Sequence, residues 1–248
     1  MVRKLVIFST LFGLALASLP AEAQFSRYAL PVEKGVLENK LEVQYQYSKL
    51  GDVNTSIMSV EGQYVLSDRL ELGLNVPFLT HDYGTQDGFE FGDVILSAKL
   101  KVLGVGDMLG LALFLNGALP THSSDLPRDN SKLQGGAAVN AALLGFTVGG
   151  DVQLIWGLDG STDDQIYLGV NAFARMPIIP LIAIQLAAEY YQSFKPSSDI
   201  NALVLTPGLE FSFLGVNAGI AARIATTDDA KILFASRLGV LAHGGFRF

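Results

Sequence analysis

Leu70-Glu71-Leu72-Gly73-Leu74-Asn75-Val76 puts an apolar side chain at every second position and a polar or small one between. Successive side chains of a strand point to opposite faces, whereas a helix brings together residues three and four apart. The run is therefore a strand with one apolar and one polar face. Leu41-Glu42-Val43-Gln44-Tyr45-Gln46-Tyr47 and Met58-Ser59-Val60-Glu61-Gly62-Gln63-Tyr64 repeat the pattern. In the next segment Val94, Leu96, Ala98, Leu100 and Val102 share one face, and Asp93, Ser97, Lys99 and Lys101 the other.

Working outward, the alternation predicts twelve strands, near residues 39–49, 55–66, 70–80, 91–103, 108–119, 133–144, 146–157, 164–176, 181–193, 200–212, 215–226 and 231–248. Connections after the even strands are tight, as at Ser67-Asp68-Arg69 and Phe213-Leu214. Those after the odd strands are longer and polar, as at His81 to Glu90 and Thr121 to Lys132. Short turns on one rim and long loops on the other are the pattern of an outer-membrane barrel, and an even strand count returns both chain ends to the short-turn side. A secreted β-sandwich would have no reason to keep its long loops in strict alternation. The fold class read here is all-β: a transmembrane antiparallel β-barrel of about twelve strands.

Composition agrees. Half of the 248 residues are apolar and only 17% are charged. Yet no run reaches the ~20 apolar residues of a membrane helix. The greasiest stretch, Leu5 to Leu19, follows Arg3 and Lys4 and precedes Ala21-Glu22-Ala23. A basic start, a short apolar core and a small-x-small site read as a secretory signal peptide over 1–23, rather than a membrane anchor. The mature chain would begin at Gln24, with 24–38 as a short periplasmic lead-in and 39–248 as the barrel. The predicted location is the bacterial outer membrane. Losing Arg3, Lys4 and Glu22 takes the formal charge from −7 to about −8, which argues against nucleic acid as a partner. There is no cysteine, hence no thiol chemistry.

The last strand, counted back from Phe248, carries Phe246, Gly244, Ala242, Val240, Leu238, Ser236, Phe234 and Ile232 on one face. A closing aromatic on an alternating strand resembles the sorting signal read by the outer-membrane assembly machinery, so Phe246 and Phe248 are the candidate assembly signal. Aromatics also gather at strand ends, as membrane girdles require. Tyr47, Phe78, Trp156, Tyr190 and Phe234 lie near the long loops, and Tyr64, Phe146, Phe211, Phe246 and Phe248 near the short turns.

The inward face holds the candidate pore lining: Glu42, Glu61, Glu71, Asp93, Asp151, Glu189 and Glu210 against Lys99, Lys101, Arg175, Arg223 and Arg237. Arg247 and His243 are expected to face Glu42, and both Lys99 and Lys101 to face Glu71. Small inward residues such as Gly73, Gly136, Gly149 and Gly219 are expected to leave room between them. A twelve-strand barrel lies between the side-chain-filled eight-strand size and the open sixteen-strand porins. A narrow polar pore and a filled lumen both stay open. The aspartates of the long loops, from Asp52 to Asp229, read as a solvated rim or as a surface bridged by divalent cations to lipopolysaccharide phosphates. His122-Ser123-Ser124 has the histidine–serine spacing of lipid-hydrolysing barrels, but it sits at a loop tip between prolines without an orienting third group. No catalytic residue, cofactor or metal site is predicted, since three scattered histidines without cysteine make a poor ligand set.

Three short motifs carry a family likeness: Val32-Glu33-Lys34-Gly35, Phe91-Gly92-Asp93-Val94-Ile95-Leu96-Ser97-Ala98-Lys99, and Ala118-Leu119-Pro120-Thr121 opening a polar loop. Together they resemble the outer-membrane family named for the meta-pathway of phenol degradation. That resemblance implies a channel or transporter for small hydrophobic or aromatic solutes, and it supplies no catalytic residues. A structural envelope barrel and a lipid-modifying hydrolase are the alternatives.

Overall fold

The computed structural model describes residues 37–248 apart from 51–52, 83–86, 106–107, 120, 122–131, 144–145, 159–165, 195–199 and 234–237. Thirteen strands and one short helix follow in the order β1 (Lys40–Leu50), β2 (Val53–Val65), β3 (Leu70–Asp82), β4 (Asp87–Phe91), β5 (Val94–Val105), β6 (Leu109–Leu119), β7 (Lys132–Leu143), β8 (Phe146–Gly157), β9 (Ile166–Ile179), β10 (Ile182–Ser193), β11 (Asn201–Phe213), β12 (Val216–Ala225), α1 (Asp228–Leu233) and β13 (Leu238–Arg247). Successive strands pair antiparallel, except that β4 and β5 both pair with β3. The first and last also pair, from Lys40↔Arg247 to Ser48↔Gly239, so the sheet closes. β4 and β5 lie end to end against β3 and make one stave, which gives a closed twelve-stave barrel.

The alternation read in the sequence becomes inside and outside. Glu71 is 3% exposed, while Leu72 and Leu74 on the same strand are 44% and 45% exposed. The outer surface is a band of leucine, valine and isoleucine, including Leu96, Leu113, Leu115, Val139, Val152, Ile184, Leu186, Ile220 and Val240. Such an exterior matches hydrocarbon, and closure leaves no unpaired backbone edge within it. Tyr47, Tyr64, Phe146, Phe211 and Phe248 are on that exterior. Phe246 stacks on Phe248 with ring centres 6.0 Å apart. Phe234 lies outside the described residues.

The tight connections show turn chemistry. Leu66 donates its N–H to the Leu70 carbonyl, and Ser67 Oγ accepts from Leu70 N–H. The β11–β12 turn has Leu214 at φ 49° and Gly215 at φ 83°. A two-residue hairpin matched to strand twist needs positive φ at both central positions, which glycine supplies freely and leucine at a cost.

Two predicted strands are corrected. The segment predicted over 91–103 is interrupted at Gly92-Asp93, because the register against β3 shifts by one residue between Phe78↔Phe91 and Asn75↔Ile95. Thr121 holds the interruption: its Oγ accepts from Val94 N–H and donates to the Gly92 carbonyl, and its N–H donates to Asp93 Oδ1. Two of the motifs that carried the family likeness therefore meet in space. The strand predicted over 231–248 begins only at Leu238, and Asp228–Leu233 is helical. Thr227 Oγ accepts from Ala230 N–H as an N-cap, and Asp228 and Asp229 sit where the helix dipole favours negative charge.

Candidate functional site

Among the described residues, buried polar and charged groups collect in the lumen, and strand alternation builds it. Lys40, Glu42, Gln44 and Gln46 of β1 share the inward face, and the inward groups of the other staves meet them. Glu42, Glu61, Glu71, Asp93, Lys99, Asp151, Glu189, Glu210 and Arg223 are all buried there, with Arg175 and Lys101 partly so. Arg237 lies outside the described residues.

Near the short-turn rim the groups pair within a stave or between neighbouring ones, except Arg175 of β9 and Glu210 of β11, which lie two staves apart. Glu71 and Lys99 are register partners, and Lys99 Nζ lies 2.9 Å from Glu71 Oε1. The backbone N–H of Glu38 donates to the other Glu71 oxygen at 2.8 Å. Lys40 reaches Glu42 at 3.1 Å and Glu61 at 3.7 Å, and Gln44 donates to Glu42. Arg175 Nε donates to Glu210 at 2.6 Å. Two expectations fail here. Lys101 makes no ion pair with Glu71. Glu71 is the register partner of Lys99, whereas Lys101 lies opposite Arg69, and its side chain lies along Gly104. Arg247 does not reach Glu42 but pairs with Glu38 at 3.1 Å, because its register partner is Lys40. His243 does face Glu42, at 3.6 Å, a spacing too long for a hydrogen bond.

Burial pushes the Glu38 carboxyl above the usual carboxylate range, and Lys40 and Lys99 nearby pull it back only in part.

Midway, amides replace charges. Asn116 donates to Gln134, Gln134 bonds Gln153, and Asn171 donates to Asp151 at 2.9 Å, a ladder running from β6 to β9. Above it Arg223 of β12 donates to Glu189 of β10 at 2.9 Å and to Gln46 of β1 at 3.2 Å. Tyr191 OH donates to the same Glu189 oxygen at 3.1 Å. Strands β1, β12 and β10 are not neighbours in the sheet order, so these bonds reach beyond adjacent staves into the interior. Gln46 and Glu189 are each 1% exposed and Arg223 3%, a degree of burial that an open bore would not leave.

The small inward residues do not leave the expected room. A Cβ on Gly136 would fall 2.9 Å from the Phe114 ring, one on Gly149 2.6 Å from Phe173, and one on Gly219 2.1 Å from His243. Large side chains of adjacent staves occupy those places, so small and large alternate around the wall. Near the long-loop rim the filling is apolar: Ile155, Tyr167, Tyr191, Ala202, Val204, Ala225 and Ala230 of α1 form one buried cluster.

Sequence reasoning overlooked Lys40, Gln46, Tyr167, Tyr191 and Ala230. The first four were available from the alternation that found Glu42 and Glu189. Ala230 was hidden by the strand assigned over α1. His122, Ser123 and Ser124 lie outside the described residues.

No protein-family model and no curated protein matches the chain. Among solved structures it is similar to an outer membrane channel from Pseudomonas putida F1, at TM-score 0.65 and 15% identity over 88% of this chain and 98% of that one. It is also similar to the NanC porin, at TM-score 0.60 and 9% identity over 84% and 99%. The KdgM porin in complex with disordered oligogalacturonate follows, at TM-score 0.57 and 7% identity over the same shares. At these identities the likeness concerns the fold: a complete outer-membrane-type barrel.

Proposed function

We propose that the protein is an outer-membrane channel for a small solute, held closed at rest by its own lumen side chains. The observation that carries this reading is the polarity inversion of the wall. A barrel that served only as scaffold could fill its interior with apolar groups, whereas this one buries carboxylates, cations and amides along most of its length. Twelve staves are wider than the side-chain-filled eight-stave size, so a path can open when the filling side chains change rotamer. An apolar or aromatic solute is the finer reading. It is supported by the family resemblance and by the apolar cluster around Tyr167 and Tyr191.

Planar-bilayer recording of refolded protein tests the reading. Small, infrequent openings are expected from the native chain. Replacing Gln46, Glu189 and Arg223 together by alanine should enlarge or prolong them. Absence of conductance and of solute uptake in both proteins would overturn the channel. It would favour the second reading, an envelope barrel whose aspartate-bearing loops contact lipopolysaccharide, which the filled lumen also supports.

A further inference from the structure

The segment after β12 leaves the wall. The β11–β12 ladder ends at Val204↔Ala225, and β13 resumes pairing with β12 at Leu238 opposite Ile224. After β12 the chain turns into α1, Asp228–Leu233, instead of extending the hairpin. Ala230 is fully buried against the lumen-facing Tyr167, Tyr191, Ala202, Val204 and Ala225. Two side chains of the segment dock it by satisfying backbone donors of β11: Asp229 Oδ2 accepts from Asn201 N–H at 2.8 Å, and Thr227 Oγ from Leu203 N–H at 3.1 Å. These donors sit beyond the end of the ladder, where β12 no longer supplies carbonyls to them. Among the described side chains of the helix, Ala230 is buried and Asp228 is exposed.

We propose that α1 is a gate segment. In its docked position it closes the long-loop end of the lumen, and it opens by releasing the Thr227 and Asp229 bonds and lifting Ala230 off the cluster. This rests on the channel reading. The physical case is one of balance. Among the described side chains, Ala230's apolar contact and the Thr227 and Asp229 bonds hold the helix, and Thr226 at its root donates its N–H and hydroxyl to the Leu203 carbonyl; each side-chain bond shifts the docked-to-undocked ratio by roughly two- to tenfold. The barrel wall, with its continuous ladder, is held far more firmly, so α1 can undock while the barrel stays folded.

The test uses a single cysteine in a chain that has none. Val204→Cys puts a thiol in the lumen beneath α1. Its rate of reaction with a charged, membrane-impermeant maleimide reports uncovering, whether or not ions flow. In the folded protein the rate should be slow. Adding Thr227→Ala and Asp229→Ala should raise it by roughly four- to a hundredfold, the product of the two bond factors. Replacing 228–233 by a Gly-Ser segment of equal length should raise it further. Thr227→Ser, which keeps the acceptor oxygen, should leave it slow. Bilayer recording of the same variants should show open probability rising in the same order. Equal labelling rates in all of these proteins would overturn the gate. Accelerated labelling without conductance in any of them would leave α1 as a movable cover and would instead overturn the channel reading.

Discussion

Glu71 and Glu189 are both buried carboxylates facing a cation inside the same barrel, yet their surroundings differ. Glu71, near the short-turn rim, faces Lys99 on the adjacent stave and keeps a backbone N–H from Glu38 on its second oxygen. Glu189 lies higher, under the apolar cluster, and its cation Arg223 comes from two staves away. The lower pair is local and backed by backbone, while the upper one is a tie across the interior set in apolar surroundings. Removing one partner of a buried pair costs most where the remaining charge has least help from water and other donors. The long-loop half should therefore be the fragile half.

The largest effect is expected from Glu189→Ala, which leaves the buried Arg223 guanidinium without this carboxylate and should cost about 3–5 kcal/mol. Urea unfolding of the detergent-refolded protein measures it. Glu189→Leu with Arg223→Met should recover most of that loss, since a packed apolar pair avoids desolvating two ions. If the double variant is no better than the single one, the cost does not come from the buried Arg223–Glu189 pair. Lys99→Met should cost less, about 1.5–3 kcal/mol, because Glu71 keeps its charged hydrogen bond from the Glu38 backbone. A loss equal to that of Glu189→Ala would erase the contrast between the halves.

Glu38 sharpens the contrast through pH. Its carboxyl is held above the ordinary range by burial, so the folded chain binds its proton more tightly than the unfolded one. Its contribution is fully present below the unfolded value and is lost as pH rises through the folded value. Native protein should therefore lose stability relative to Glu38→Gln as pH is raised from about 4.5, the ordinary value of the group. A gap that stays constant with pH would show that Glu38 is not buried as described. The smallest stability effect is expected from Lys101→Glu, within about 0.5 kcal/mol, because the side chain lies over Gly104 outside any ion pair. Its reversal potential under a salt gradient should still move toward cation selectivity if ions pass the short-turn mouth.

The barrel was legible because period-two alternation, turn residues and loop lengths all give the same answer. Strand ends such as 146–157 and 181–193 differ from the observed ones by at most one residue. The lumen list was legible for the same reason, since facing inward follows from alternation alone. Pairing was not, because it depends on register. The β3–β5 alignment gives Glu71 to Lys99 and sets Lys101 opposite Arg69, and the alignment of β1 with β13 sends Arg247 to Glu38. The helix was missed although Thr227-Asp228-Asp229 is a helix start. Ile232, Phe234 and Ser236 continued the alternation of the last strand, and the strand reading overrode the cap. Whether small residues leave space was not decidable from one strand, since Gly136 and Phe114 meet only across the β6–β7 pair.

The seam from Lys40↔Arg247 to Ser48↔Gly239 also sets an order of events. Every other stave can zip to its sequence neighbour through a local turn. The seam alone brings together opposite ends of the chain. Loop-closure entropy grows by only about 0.6 kcal/mol per doubling of length, so the added cost of that ring closure over a hairpin is roughly 2–3 kcal/mol. What matters is timing. Until the seam forms, the sheet has two bare edges able to pair with any other strand. Refolding should thus be limited by a single late zippering step, and high protein concentration should divert it toward intermolecular pairing at those same two edges.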